Sequence, residues 1–502
     1  MTGPRNGERA AGSLGLSLGL ALALILVLRI VALWFNRTDL FFDEAQYWSW
    51  GLEPAFGYYS KPPLVAWIIR VSTELCGTSE FCVRLPSPLI HTATAIVLYW
   101  LGRRLAGPAA GFWASLTFAT LPGVSFSASL MSTDVPLLLA WAVALLALSI
   151  LLTGRSWWPA IVLGLAIGVG LNAKYAMAFF GGCLAVYLVA TPEQRGFMKD
   201  GRLWLAISIA AALITPNMLW NQANSFATFS HTADNANWAG RLPSPLRLVE
   251  FLGAQAGVFG PILVGALIAL IVRAWREGLP AVERLLLAFT LPVIALISVQ
   301  AFLSRAHANW AATAYVAGSV LVPATLVRLG REGWLKASLW LHLAIAAIIG
   351  ITLAFAGEFK LPGIPDPFAR TLGWKATAET TAHNLVRGAA EGKPFAAVVT
   401  DERAATAELL YYRRDISYLV YAWRAGPRPL DHYELTRPWR PGTEPLLLVS
   451  LRSEAEPILS RFEKVELVEE AAIPTGRHAT RRVRFYRLSG YRPSAVPTQP
   501  KR

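Results

Sequence analysis

The residues from Leu14 to Phe35 form an apolar stretch whose only charge is Arg29. At about 1.5 Å per helical residue, a run of that length spans the roughly 30 Å hydrocarbon core of a bilayer. No small-residue cleavage site follows it, so it reads as a retained membrane helix, with Arg29 snorkelling or facing other helices. Ten further apolar runs lie near 86–104, 108–126, 135–152, 157–173, 175–190, 203–220, 251–272, 284–304, 308–327 and 334–355, which makes about eleven spans. Some are punctuated by proline and glycine, as at Leu121-Pro122-Gly123 and Thr215-Pro216. With 54% hydrophobic and 16% charged residues and a mean hydropathy of +0.43, an ordinary soluble globular enzyme is excluded.

The cationic residues give the orientation. Arg5 and Arg9 precede the first run, and Arg103-Arg104, Arg155, Arg195/Lys199/Arg202, Arg273/Arg276 and Arg328/Arg331/Lys336 fall in alternate loops on the same side. The positive-inside rule puts that side, and the N-terminus, in the cytoplasm. An odd number of spans then puts the first loop (36–85), the loop 221–250 and the C-terminal segment on the outer face. Most of the net charge of +14 sits beside spans and in the tail, so it signals topology and affinity for anionic headgroups, with no nucleic-acid partner. Cys76, Cys82 and Cys183 have no metal-ligand spacing, and a disulfide between Cys76 and Cys82 is one option if the outer compartment is oxidising.

After about residue 356 the composition changes. LPGIPDPF reads as a linker, PFAAVVTD (394–401) and EPLLLVSL (444–451) as buried strands, and ERAATAELLYYRR (402–414) as an amphipathic helix between them. KVELVEEAAI and RRVRFYRL read as later strands, so a small α/β domain is expected over 356–490, after a membrane domain of 1–355 and before a disordered tail of 491–502. No glycine-rich phosphate loop follows either early strand, which argues against a nucleotide site.

Chemistry is concentrated in the first outer loop. FFDEAQYWSWGLEPAFGYYSKPP (41–63) places Asp43, Glu44 and Lys61 among aromatics. Adjacent carboxylates orient or deprotonate a hydroxyl, and a nearby lysine neutralises an anionic leaving group, which together suggest group transfer from a charged lipid. The bland alternative is an interfacial loop anchored by Trp48, Trp50, Tyr58 and Tyr59. Asp134, in MSTDVPLLL on the same expected face, is either a helix N-cap or a site carboxylate. Lys174, the 221–250 loop with His231, Asp234, Asn235, Asn237, Trp238 and Arg241, and His307 and Asn309 of SRAHANW fall there too. Amides and carboxylates with an aromatic ring are the usual means of gripping a sugar.

Asp43-Glu44 after the first span, Tyr59 to Pro63, Thr-Asp-x-Pro at Thr133 to Pro136, HTADNANW and SRAHANWAA together resemble the bacterial members of glycosyltransferase family 39, over roughly residues 14 to 330. Relatives in that family include lipid A aminoarabinose transferases and rhizobial lipopolysaccharide galacturonosyltransferases. The resemblance implies a polytopic α-helical membrane protein of GT-C type, with about eleven transmembrane helices and a small C-terminal extracytoplasmic α/β domain. It implies an active site on the periplasmic face of a bacterial inner membrane and a polyprenyl-phosphate-linked sugar as donor. The acceptor is then lipid A, lipopolysaccharide or another envelope glycan, with protein O-mannosylation as the alternative. The family's catalytic acid carries over to Asp43, with Glu44 beside it, and its phosphate-contacting lysine to Lys61, helped by Arg84 or Lys174. Tyr59, Asp134, His231, Asp234, Asn235 and Trp238 are the candidate acceptor or sugar contacts. No cofactor is assigned; should a divalent cation take part, Asp43 and Asp134 are its candidate ligands. Ser60 departs from the aminoarabinose transferases, which carry an acidic residue before the lysine.

A lipid or solute transporter is the rival from another class, and a noncatalytic assembly protein a third. No repeat relates the two halves, and the charges gather on one face instead of at mid-membrane, which favours the enzyme.

Overall fold

The computed structural model describes residues 4–237, 242–358, 368–453 and 455–493. The chain forms two compact units, one of Met1–Trp34, Lys61–Ile68 and Arg84–Ile351, the other of Phe35–Ser60, Ile69–Val83 and Thr352–Arg502. Residues 35–60 and 69–83, read from the sequence as an outer loop of the membrane domain, thus make their contacts with the C-terminal segment.

The first unit is helical throughout. Leu14–Trp34, Glu80–Ala106, Asp134–Leu151, Gly201–Ala223, Ala281–Leu303 and Glu332–Ala354 are the helices, among the described residues, long and apolar enough to cross a bilayer. The runs at 157–173, 175–190 and 308–327 form the shorter helices Trp158–Ala173, Tyr175–Ala190 and Ala314–Arg328. The 251–272 run is not a straight span: Pro245–Phe259 and Pro261–Glu277 meet at 114°. Gly260 makes that bend at φ +91°, where a Cβ would lie 2.0 Å from His342 Nε2, and Pro261 has no N–H to continue the first helix. The 108–126 run likewise divides into Pro108–Thr120 and Pro122–Ser127. By length and composition the structure therefore offers six spans, or seven with the bent pair, where hydropathy gave about eleven. The difference lies in the short and broken runs.

Burial separates the centre of the bundle from its rim. Asp134–Leu151 is 78% buried, against 11% for Glu332–Ala354 and 17% for Leu14–Trp34. Of the helices long enough to cross a bilayer, the most enclosed is the one that opens on Asp134. Helices Pro86–Ala106 and Pro108–Thr120 approach so closely that a Cβ on Gly111 would lie 2.5 Å from the Tyr99 carbonyl, the small-residue contact expected where lipid provides no hydrophobic drive.

The second unit is built on a mixed sheet of five strands: β1 Ala397–Thr400, β2 Val420–Ala422, β3 Leu446–Ser450, β4 Phe462–Pro474 and β5 Thr480–Tyr491, in the order β2-β1-β3-β5-β4. β1 lies between β2 and β3 and is parallel to both, with Val398 opposite Val420 and Leu447. It and β3 are buried along their whole length, which is why they read as unbroken apolar runs. β4 and β5 form an antiparallel hairpin whose edge is dressed with ion pairs such as Glu470 with Arg484 at 2.9 Å and Arg482 at 3.2 Å, a charged edge that resists further strand pairing. Helices Trp374–Ala390 and Arg403–Tyr412 belong to the same unit. Cys76 and Cys82 are joined as a disulfide, with Cα atoms 5.8 Å apart. The LPGIPDPF linker up to residue 367 and the tail from 494 lie outside the described residues.

Candidate active site

Asp43 and Glu44 open the helix Phe42–Leu52, and consecutive helical residues point about 100° apart. Their fates differ accordingly. Glu44 turns back to its own helix end, where its carboxylate accepts from the Phe41 backbone N–H at 2.9 Å, and the residue is 1% exposed. It serves as a cap, so the expected catalytic pair is split. Asp43 stays half-exposed, and its Oδ1 accepts from Arg403 Nη1 at 2.9 Å. The same nitrogen donates to Gln46 Oε1 at 2.9 Å, one turn along the helix from Asp43.

The aromatics of this segment are not a lipid-facing belt. Trp48, Trp50, Tyr58 and Tyr59 are all buried. Trp50 stacks on Tyr58 with ring centres 4.6 Å apart, and the Tyr58 hydroxyl donates to the Trp50 carbonyl at 2.8 Å; burial pushes that phenol up to about 12. Trp48 meets Tyr411 edge-on at 5.0 Å, Ser49 Oγ lies 2.8 Å from the Tyr433 hydroxyl, and Leu40 N donates to the Tyr412 hydroxyl at 3.0 Å. Tyr59, an expected sugar contact, sends its hydroxyl to the Pro429 carbonyl at 2.9 Å. These residues hold the helix of Asp43 in place.

The second unit also carries buried and half-buried carboxylates. Asp401 and Glu402, just after β1, are raised above the usual carboxylate range by burial. Asp431 caps the helix His432–Thr436 by accepting from Tyr433 N at 2.7 Å and Glu434 N at 2.9 Å, and burial raises it as well. Burial, reinforced by the charge of Asp431, pushes Glu434 up to about 7. His432 is pulled down to about 3 by burial and is neutral.

In the first unit, Lys61 and Pro62 lead into the helix Leu64–Cys76, whose first turn is anchored by Ala66 N and Trp67 N donating to Pro63 O at 3.1 and 3.2 Å. Arg84 ends the helix Glu80–Arg84 and is 3% exposed. Asp134 is not an N-cap: the cap position is Thr133, without a side-chain cap bond. Its carboxylate instead receives Lys174 Nζ on Oδ1 at 2.7 Å and Asn309 Nδ2 on Oδ2 at 2.7 Å. Sequence reasoning grouped these three on one face, and the structure brings them into direct contact.

The 221–250 segment is mostly helical. Helix Gly201–Ala223 runs into it, Ala227–Ala236 follows after left-handed Ser225 and Phe226, and Pro245–Phe259 begins behind the cap Ser244. On Ala227–Ala236, Asn235 Nδ2 lies 2.9 Å from His231 Nε2, and Asp234 is exposed. The segment is tied to the neighbour of Lys174: Phe229 stacks on Tyr175 at 5.1 Å, whose hydroxyl donates to Asn217 Oδ1 at 2.7 Å. Trp238 and Arg241 lie outside the described residues. Among the described residues, no three His, Cys, Asp or Glu side chains are grouped as a metal site requires.

Sequence reasoning missed Arg403 and Gln46. The available signal was Asp401-Glu402-Arg403 directly after a buried strand, since α/β sheets present functional groups at the carboxyl ends of their parallel strands.

An apolar helical bundle holding a largely enclosed carboxylate–lysine pair, and a second unit that carries a half-exposed carboxylate among buried aromatics, are the features expected of a membrane glycosyltransferase of GT-C type. The structure is similar to ArnT from Cupriavidus metallidurans in the apo state, with a TM-score of 0.64 at 16% identity over 96% of this chain and all of that one. The ArnT structure with undecaprenyl phosphate gives 0.65 at 17% identity, covering 96% and 99%. In sequence, residues 60–220 match the family described as dolichyl-phosphate-mannose-protein mannosyltransferase. The chain is 38% identical to lipid A galacturonosyltransferase RgtD of Rhizobium johnstonii over 81% of its own length and 84% of that protein's. It is 31% identical to an undecaprenyl phosphate-alpha-4-amino-4-deoxy-L-arabinose arabinosyl transferase of Erwinia tasmaniensis over 32% of this chain and 29% of that one. The chain belongs to this family of membrane glycosyltransferases, the bacterial members of glycosyltransferase family 39.

Proposed function

We propose that this enzyme transfers galacturonic acid from a polyprenyl-phosphate carrier to lipid A, on the periplasmic face of a bacterial inner membrane and with inversion at the anomeric carbon. The family sets the reaction class, glycosyl transfer from a polyprenyl-phosphate sugar. The observation that carries the choice of sugar and acceptor is the 38% identity to a lipid A galacturonosyltransferase over 81% of the chain. Ser60 agrees with it. An acidic side chain before the lysine suits a cationic amino sugar, whereas a neutral serine beside Lys61 suits an anionic uronic acid.

In this reading Asp43 accepts the proton of the attacking hydroxyl while the oxygen bonds to the anomeric carbon. The bond from that carbon to the phosphate oxygen breaks, and Lys61 with Arg84 stabilises the departing polyprenyl phosphate, whose charge grows in the transition state. Lys174, engaged with Asp134, acts through that carboxylate, and the Asp134–Asn309 group, with His231, Asp234 and Asn235, contacts sugar hydroxyls. The prenyl chain lies between helices, where each buried methylene contributes about 0.8 kcal/mol. The disulfide supports the periplasmic placement of the first outer segment, because such bonds persist in oxidising compartments. Mass spectrometry of lipid A from a strain with and without the gene tests the proposal. A hexuronic acid on lipid A that vanishes with the gene supports it, and an unchanged lipid A with a lost sugar on protein or another glycan refutes the acceptor.

A further inference from the structure

Resting on the reading of Asp43 as the proton acceptor, we infer that Arg403 is its positioning residue, so that the C-terminal segment supplies part of the catalytic apparatus. Arg403 Nη1 bridges Asp43 Oδ1 and Gln46 Oε1, both at 2.9 Å. These two acceptors are three residues apart on the helix Phe42–Leu52 and share a face. The guanidinium lies 4.8 Å from the centre of the Phe42 ring, which Arg370 also approaches at 5.2 Å. A planar group held by two oxygens and a ring has little rotational freedom. It fixes the rotamer of Asp43 through Oδ1 and leaves Oδ2 as the oxygen assigned to the acceptor hydroxyl.

Fastening the two elements together does not account for this contact. Trp48 on Tyr411 and Ser49 on Tyr433 already join the same helix, and Leu40 just ahead of it joins Tyr412, to the same segment through buried and half-buried groups. Arg403 and Asp43 have side chains 33% and 36% exposed, and ion pairs this open add little to stability. Position in the sheet agrees: Arg403 is the first residue of the helix that follows β1, at the carboxyl end of the central parallel strand.

The test uses the full-length enzyme in lipid nanodiscs with polyprenyl-phosphate galacturonic acid and lipid A. Arg403→Ala should lower kcat by about ten- to a hundredfold, the scale of a misplaced catalytic group, with the acceptor KM and melting temperature unchanged. Arg403→Lys should restore part of the rate. Millimolar guanidinium should partly rescue Arg403→Ala but not the double variant that also carries Asp43→Asn. Glu53→Gln, which weakens the pair that Glu53, at the C-terminal cap of the same helix, makes with Arg437 of the same segment, should retain the wild-type kcat. An unchanged kcat in Arg403→Ala overturns the assignment. So does a rise in acceptor KM alone, which would mean direct contact with the acceptor, or an equal loss in Glu53→Gln, which would mean that docking is all that matters. Wild-type enzyme controls for the functional reading: no transfer there counts against the galacturonosyl assignment, and the variants are then compared through the lipid A mass change the gene confers on its strain.

Discussion

Asp134 and Lys174 form an ion pair at 2.7 Å with side chains only 12% and 20% exposed, at the start of a helix that is buried over most of its length. Asp134→Asn removes one charge and leaves the ammonium facing a neutral amide in surroundings poor in water. Breaking one side of a buried pair costs about 3–5 kcal/mol. Because this pair retains some water contact, about 3 kcal/mol is the expected loss. Losing a helix cap would cost about 1 kcal/mol, so the size of the effect separates the two roles first read for this residue. Lys174→Met leaves an uncompensated carboxylate, helped only in part by Asn309 at 2.7 Å, and should cost a similar amount. The double variant removes both charges, and its loss should fall short of the sum by about 2–3 kcal/mol. Thermal unfolding of the four proteins in one detergent gives the cycle, with transfer rates measured on the same preparations. Losses that add to within about 0.5 kcal/mol would show that the two groups do not interact in the folded protein, and the reasoning would fail.

Three further outcomes follow from the same structure. Lys61→Ala should abolish most transfer while the protein inserts and melts normally; a kcat close to wild type removes Lys61 from the reaction. Glu44→Ala should cost about 1–2 kcal/mol of stability through the lost cap yet leave kcat within a few-fold, and a large kcat loss at unchanged stability would return Glu44 to the chemistry. Glu434 sits at about 7 against an ordinary value of 4.5, so the folded protein holds a proton that the unfolded chain has released. Stability is therefore lost as pH rises from about 4.5 through 7, and Glu434→Gln, which keeps an acceptor for Leu430 N, should match wild type near pH 4.5 and exceed it by about 1–2 kcal/mol at pH 8. Parallel melting curves across that range would contradict the assignment.

Membrane character, the strand segments of the C-terminal region and the grouping of Asp134, Lys174 and Asn309 were legible because apolar runs and loop charges report directly on burial and topology. The straightness of the helices was not. Pro261 after Gly260 looks in sequence like many tolerated breaks, and the 114° bend shows only in the positive φ of Gly260 and the closeness of His342, which leaves no room for a side chain there. The three-residue strand β2 is too short to stand out, and the helix Trp374–Ala390 turns inward a face made mostly of small and polar residues, Thr377, Ala378, Thr381, Asn384 and Gly388, which gives no apolar signal. In sequence Asp43 reads as the catalytic acid with Glu44 as a neighbour that could point away, and helix phase decides which of the two faces outward. Arg403 lies 360 residues from Asp43, and no local pattern could couple them. Tyr58 and Tyr59 looked like interfacial anchors because their burial depends on Trp50 and the Pro429 segment.

The central claim is that Asp43 serves glycosyl transfer to lipid A. A gene-deletion strain complemented with wild type or with Asp43→Asn, each confirmed at equal abundance in the inner membrane, tests it in one mass spectrum of lipid A. The account predicts a hexuronic acid on lipid A restored by the wild type and absent with the variant. Equal restoration by both would contradict it.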